Sequence, residues 1–373
     1  MHQRRSHSEI RRQCRVSLFR RLHQGVVRGV GRIAFKLCMY TVEPLTPQNQ
    51  DKWDVVIQQC PNTTAFQSLA WRDALASAFK QLTPVYMLIK QQGAVIGGLP
   101  AFIFQPMPGI RLWHSMPWNL FGGIHLTDTS HVNRETLITS IETAAEEKGW
   151  CEIRWTLPPE HTTTYGDVFI ETGYERTDHF THLLKTNKDA DALWHAYNKR
   201  VRGAVRKAEK SGVAVTDTDS EEALSIFYDM YLMTVKRLGG TPKPRGLMQT
   251  LLQRKIAKLA IATYRDTIIA GLLYLRFNRT VTLWCEASVP AFLKYRPNNA
   301  IFHYIIRQAC HEEYECVDFG ASPPENAGLI AHKEQYRANQ TDFASYTKVV
   351  SPLKRNLWTR SEGALRQIYT WMQ

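Results

Sequence analysis

Six cations lie in Asn198-Lys199-Arg200-Val201-Arg202-Gly203-Ala204-Val205-Arg206-Lys207-Ala208-Glu209-Lys210, four of them at a spacing that suits phosphate. At the helical period, Val201, Ala204, Val205 and Ala208 form one apolar arc, and Lys199, Arg202, Arg206 and Lys210 form the side opposite. A row of this kind fits a diphosphate or an RNA backbone, with Arg favoured for bidentate contacts. The same spacing also fits a solvated basic face. Gly203 falls on the basic side. Glycine in a helix interior costs about 1 kcal/mol against Ala, and the close approach of another group would compensate.

A second chemistry-bearing stretch runs from Trp284 to Tyr346. A strand pattern at 280–287 leads into Arg296-Pro297-Asn298-Asn299. A helical pattern over 300–312 comes next, then a short strand at 315–319 that contains Asp318 and stops at Gly320. A Pro-rich loop precedes Lys333. These residues, with the run Lys199, Arg200, Arg202, Arg206, Lys207, Ala208, Gly212 and Val213, resemble the Fem-type (FemAB-like) peptidyltransferases, a branch of the GNAT acyltransferase superfamily. In that family a helix opening near Pro-Asn precedes an Asp-Phe-Gly strand end, and a Lys follows on a short helix. Here these are Pro297-Asn298, Asp318-Phe319-Gly320 and Lys333.

The resemblance implies that Lys333 is a catalytic contact and that Asp318 holds or deprotonates the attacking amine. Lys199, Arg202, Arg206 and Lys210, with Arg296, Asn298 and Trp284, become the candidate substrate- and phosphate-binding set. The chemistry is consistent with this. An amine attacking an ester or thioester creates a tetrahedral oxyanion, and a positioned ammonium stabilises it best where water is excluded. An activated ester leaves mainly alignment and electrostatics to the protein. Asp318 also reads as a turn or cap residue leading to Gly320. The chain departs from the family in having His332 before Lys333 and Arg337-Ala338 after Tyr336. Trp284 and Glu286, two apart on one strand, are expected on the same face.

The elements that must position these residues repeat in order across two halves. In the first, a strand at 41–45 precedes helices at 47–59 and 67–79. Then come strands at 84–90 and 95–104, a Pro/Gly/Trp-rich loop at 106–123, a helix at 133–148 and a strand at 151–156. In the second, helices at 220–238 and 246–258 precede strands at 259–264, 268–277 and 280–287, then the helix and strand at 300–319. Gly239-Gly240, Pro242 and Pro244 read as helix breakers. The loop at 113–123 offers Trp and Phe as an acceptor wall or as core plugs. The expected fold is α/β (α+β), with two tandem GNAT-like domains, each a mixed, mostly antiparallel sheet flanked by helices. The expected divisions are a tail at 1–38, domains at 39–180 and 181–350, and a C-terminal helix at 351–373 that docks on the body or touches a membrane.

At 373 residues the chain exceeds what one core usually fills. Its 44% hydrophobic and 22% charged content is that of a globular protein. The net charge of +13 is concentrated: residues 1–38 hold ten Lys or Arg and one acid, Glu9, leaving four positive charges for the rest. That tail reads as a targeting peptide, a basic arm for lipid or RNA, or a disordered or over-extended start before Met39. Arg28, Arg32 and Lys36 interrupt any secretory apolar core. No apolar run approaches the roughly 18 residues of a membrane span. The seven cysteines are scattered without metal-ligand spacing, so no metal and reduced thiols are expected, with Cys151 and Cys285 in the core.

Neither half shows the Q/R-x-x-G-x-G/A loop that cradles the CoA pyrophosphate on backbone amides. That absence favours a donor other than the usual CoA thioester or a remodelled thioester site, and the resemblance implies transfer of an acyl or aminoacyl group to an amine of a cell-envelope precursor. The resemblance implies aminoacyl-tRNA as co-substrate with no bound cofactor. The acceptor would be a peptidoglycan peptide or an exopolysaccharide amino sugar, UDP- or lipid-linked, handled in the cytoplasm or at the inner face of the membrane. The alternatives are an acyl-CoA-dependent N-acyltransferase and a non-catalytic nucleotide- or RNA-binding module.

Overall fold

The computed structural model describes residues 40–127 and 133–371, so the expectations for the tail at 1–38 lie outside the described residues. The first half contains β1 (Tyr40–Pro44), α1 (Gln50–Gln59), α2 (Leu69–Ala78), β2 (Leu82–Pro84), β3 (Met87–Gln91), β4 (Ala94–Leu99), β5 (Phe102–Met107), β6 (Ile110–His114) and β7 (His125–Leu126). It continues through α3 (Arg134–Glu147), β8 (Glu152–Leu157), α4 (Pro159–Glu171) and β9 (Glu175–Lys185). The second half contains α5 (Ala190–Ala196), α6 (Lys199–Lys210), β10 (Val213–Thr218), α7 (Glu221–Arg237), α8 (Arg245–Gln253), β11 (Ala257–Tyr264), β12 (Thr267–Phe277) and β13 (Thr280–Ser288). It ends with α9 (Pro297–His311), β14 (Cys316–Asp318), α10 (Ala327–Glu334), β15 (Asn339–Val349) and α11 (Pro352–Trp371).

Helix starts arise from local hydrogen bonding. Ser68 Oγ accepts from Trp71 N at 3.1 Å, and Ser220 Oγ from Ala223 N at 3.3 Å, so orphan amides of the first turn are satisfied. The apolar faces then choose sides of the sheet. One core joins Trp53 of α1, Trp71 of α2, Phe227 of α7 and Leu251 of α8 to Leu273. The core on the opposite face joins Val201 and Val205 of α6 and Ile301 and Ile305 of α9 to Leu272 and Tyr274. β12 is buried on both faces, and Gly271 permits this, because a Cβ there would stand 2.6 Å from the Phe227 ring.

The halves share one sheet of order β10-β11-β12-β13-β14-β9-β15-β8-β6-β5-β2, and β1-β3-β4-β7 form a second, smaller sheet. Each half contains one parallel pair bridged by a helix, β6 with β8 across α3 and β13 with β14 across α9. The remaining pairings are antiparallel, as the repeat of element order suggests. The halves also exchange strands. β9, from the first half, lies between β14 and β15, and β15, from the second half, lies between β9 and β8. Neither strand, nor α4 or β10, stands out in the hydrophobic pattern. The single strand expected at 95–104 is two strands, because Pro100 cannot donate to a ladder and the chain changes sheets there.

The C-terminal helix docks on the first half. Trp358 packs with Ile110, Leu112 and Cys151, and Arg355 pairs with buried Glu152. Burial alone would raise the Glu152 carboxyl. The bond with His114 at 3.2 Å and the charges of Arg154 and Arg355 outweigh it and hold the group at about 2. Its folded value lies below the ordinary one, so the associated stability is present above about pH 4.5 and is lost as pH falls towards 2. Arg355→Ala is expected to cost roughly 1.5–3 kcal/mol in urea unfolding at pH 7, and the cost should shrink at pH 3. An unchanged midpoint at pH 7 would show that this ion pair does not hold α11.

Candidate functional site

The site begins where two parallel strands part. β13 and β14 pair over three residues, Thr280 with Cys316, Val281 with Val317 and Thr282 with Asp318. β14 then stops, because Gly320 turns the chain at φ 75° and Asp318 Oδ1 accepts its amide at 2.9 Å. β13 continues to Ser288, leaving a split beside its second half.

A β-bulge shapes the free segment of β13. The register against β12 slips between Leu273, opposite Cys285, and Tyr274, opposite Leu283, so Trp284 is the extra residue. Before the bulge Val281 and Leu283 face the second core. After it Cys285 and Ala287 face the first, and Glu286 lies opposite Leu272 of the second. Trp284 packs on the first core. The expectation that Trp284 and Glu286 share a face is thus corrected, because the inserted residue breaks the two-residue alternation.

On the first-core face a cleft of about 270 Å³ opens between the halves. Thr282, Trp284, Asp318 and Gly320 line one wall, and Phe66, Trp118 and Phe121 line the other. Of the aromatic loop, Trp113 is a core residue, whereas Trp118 is 44% exposed at the lip. Trp118 and its neighbour Asn119 have φ of 58° and 55°, a backbone strain of about 1–3 kcal/mol each for such residues. Lys243 also lines the cleft, its ammonium 5.7 Å from the Trp118 ring centre and 5.2 Å from that of Trp284.

Lys333 is buried in the last turn of α10. Its Nζ donates to Gly320 O at 2.6 Å and Ala321 O at 3.3 Å, the carbonyls that β14 leaves beyond its end. Asn326 starts that helix by accepting from Leu329 N. Tyr336 anchors the chain just after α10, packed on Phe302 and Phe319 and accepting from Asn299 Nδ2 at 2.9 Å. Burial lowers the Lys333 ammonium to about 8 against the opposing charges of Asp318 and Glu286. Burial pushes the Glu286 carboxyl up to about 7 against the pull of Lys333. Burial likewise raises Asp318, opposed by the bond from Thr181 Oγ1 at 2.6 Å, the Gly320 amide and Lys333. His332 is lowered by burial and by the charge of Lys333.

The other candidates fall elsewhere. Asn298 ties the start of α9 to Ser288 with its Nδ2 at 3.4 Å, and its Oδ1 is buried without a partner. Arg296 is exposed in the left-handed region at φ 63° and makes no side-chain cap. On α6, Arg202 Nη1 donates to the carbonyls of His195 and Tyr197 at 2.6 and 2.5 Å, closing the end of α5. Arg206 lies 5.5 Å over Trp194. Lys199 and Lys210 are exposed. No α6 residue lines the cleft, and Gly203 meets no other group within 4 Å, so nothing approaches closely there.

In the first half the equivalent split is filled. Beyond the β6–β8 pairing, Ser115 N donates to Arg154 O and Gly122 N to Thr156 O, both at 2.8 Å. Thr156 N donates to Ser115 Oγ at 2.9 Å. Lys243 and Thr181 are candidate site residues that sequence patterns did not bring forward, and Glu286 is one that they put on the wrong face. Glu286 needed the bulge, Thr181 needed the strand exchange, and Lys243 lies among prolines and glycines that read only as helix breakers.

Residues 195–337 match an acetyltransferase (GNAT) domain. No curated protein matches the sequence. Among solved structures, FemX aligns with a TM-score of 0.66 at 15% identity, covering 85% of this chain and 99% of that one. L-PGS from Bacillus licheniformis aligns at 0.55 and 13%, covering 85% and 97%. A tandem GNAT protein from the clavulanic acid biosynthesis pathway aligns at 0.52 and 11%, covering 84% and 99%. At such identities the likeness is one of fold, whereas the domain match extends over the split strands, Asp318 and Lys333. Residues 195–337 thus carry a GNAT acetyltransferase-type domain, and the chain as a whole has a fold like that of FemX.

Proposed function

We propose that this acyltransferase forms an amide bond on an amine of a cell-envelope precursor, with the donor acyl group held in the β13–β14 split and the acceptor amine entering from the cleft. The observation that carries this reading is the hydrogen-bond state of Lys333. An ammonium has three N–H donors, and two are spent on Gly320 O and Ala321 O. The third is left for an oxyanion in a site shielded from water. Asp318, at the cleft floor, holds the incoming ammonium. Glu286, with a value near working pH, takes one proton from that ammonium, and the free amine so formed attacks the carbonyl carbon with its lone pair. Collapse of the tetrahedral adduct then breaks the bond to the leaving oxygen or sulfur, which departs with the second proton shed by the nitrogen.

The donor is proposed to be aminoacyl-tRNA. Exposed Lys199 and Lys210, with Arg206 alongside, offer a row to a polyanion. Pro297 stands at the start of α9 and has no N–H to offer a pyrophosphate. The GNAT domain match favours an acyl-CoA donor as the second reading. Incubation with each donor separates them. Amide formation from aminoacyl-tRNA that is abolished by RNase supports the first reading, and RNase-resistant turnover with acyl-CoA alone sinks it.

Lys333→Met should lower kcat by about 10²–10³-fold with little change in KM. The rate should rise as Glu286 loses its proton near pH 7 and fall as Lys333 loses its own near pH 8. Lys333→Arg should carry the falling limb to higher pH. Glu286 also makes a stability statement. Its folded value lies above its ordinary one, so its stabilising contribution is full below about pH 4.5 and is lost as pH rises through 7. Glu286→Gln should therefore remove the rising limb of the rate profile and yet raise stability at pH 8 by roughly 2–3 kcal/mol. A variant less stable than the parent at pH 8 would show that the carboxylate is not strained by burial.

A further inference from the structure

Two charged residues line the cleft, Asp318 and Lys243. Asp318 belongs to the reacting end, beside Lys333. Lys243 lies at the lip, its ammonium over the faces of Trp118 and Trp284. It forms no ion pair with any carboxylate among the described residues, whereas Lys90 and Lys348 each have one and Lys258 has two. Its backbone is held on both sides. Lys243 N donates to Tyr231 OH and Tyr228 OH donates to Lys243 O, each at 3.1 Å. Pro242 and Pro244 flank it and fix the backbone further. The opposing lip residue, Trp118, is both strained and exposed. A fixed cation without a counter-charge, placed between aromatic walls at the mouth of a cleft, suits an anion brought by a ligand.

We infer that the acceptor is an amino-acid-like zwitterion, whose amine lies against Asp318 and whose carboxylate pairs with Lys243 between Trp118 and Trp284. The inference rests on the acyl-transfer reading and narrows it. An amino sugar would leave Lys243 without a partner, whereas a diamino acid residue with a free carboxylate satisfies both charges. A cleft of about 270 Å³ lies at the small end of ligand sites. It accommodates one such residue, and the remainder of a larger precursor stays outside the lip.

The test is equilibrium binding by calorimetry to the full chain, with no donor present. The probes are Nα-acetyl-lysine and Nα-acetyl-lysine amide, which keep the same ε-amine and differ only in the carboxylate. The acid is expected to bind at least tenfold more tightly. Lys243→Met should level the two affinities while Lys243→Arg retains a preference for the acid, each variant first checked for an unchanged melting temperature. Equal affinity for acid and amide in the parent protein, or no binding of either at millimolar concentration, overturns the inference. Glucosamine and glucosamine 6-phosphate form the second pair. A larger gain from phosphate than from carboxylate overturns the carboxylate assignment in favour of a phosphorylated acceptor. Because no donor is needed, failure of acyl transfer leaves this comparison standing. Loss of the acid preference with transfer intact indicts the acceptor assignment alone.

Discussion

Everything chemical in this protein depends on β14 ending after three paired residues while β13 continues. The cause is local. Asp318 Oδ1 accepts the Gly320 amide, and the positive φ of Gly320 turns the chain away from the sheet. The turn leaves the carbonyls of Gly320 and Ala321 without ladder partners, and buried carbonyls must be satisfied. Lys333 satisfies both. One ammonium therefore completes the hydrogen bonding of a strand end and, in the proposed mechanism, retains a donor for the reacting carbonyl. The structural demand on Lys333 and the proposed catalytic one converge on the same atom.

A split in a sheet is useful only if its walls stay put. The exchange of β9 and β15 between the halves provides this. Thr181, on a strand from the first half, bonds Asp318 on a strand from the second. Phe343 of β15 lines the same cleft as Trp118 and Trp284. Relative movement of the halves would have to break β-ladders rather than slide two surfaces. The first half contains a comparable parallel pair, but its own loop fills the space, with Gly122 so close to Ser115 that a Cβ would stand 2.5 Å from its Oγ. Two copies of one plan thus yield one open site and one filled one.

The open site stores unfavourable terms that the cores offset. Burial raises Glu286 and Asp318 and lowers Lys333, each away from the charged form that the proposed acyl transfer requires of it. Trp118 and Asn119 carry left-handed backbone without glycine. Such costs gather where function constrains the chain. Elsewhere the electrostatics are relaxed, as at Glu152, where His114, Arg154 and Arg355 meet one buried carboxylate and hold α11 in place.

The sequence by itself determined the local elements and their repeated order. The apolar arc of α6, the helix starts at Ser68 and Ser220, and the helix-then-strand unit around Asp318 are near-neighbour effects, governed by side-chain period and hydrogen bonds a few residues long. Lys333 and Asp318 were legible only through the resemblance around Asp318-Phe319-Gly320, since nothing in their spacing alone brings them together. Tertiary structure decided the rest. The strand exchange, the bulge that turns Glu286 away from Trp284, the use of Arg202 to close α5 and the placement of Lys243 between two tryptophans all depend on partners outside the local element. A strand's register, and hence the face each side chain takes, is set by what it pairs with, and a single inserted residue reverses it.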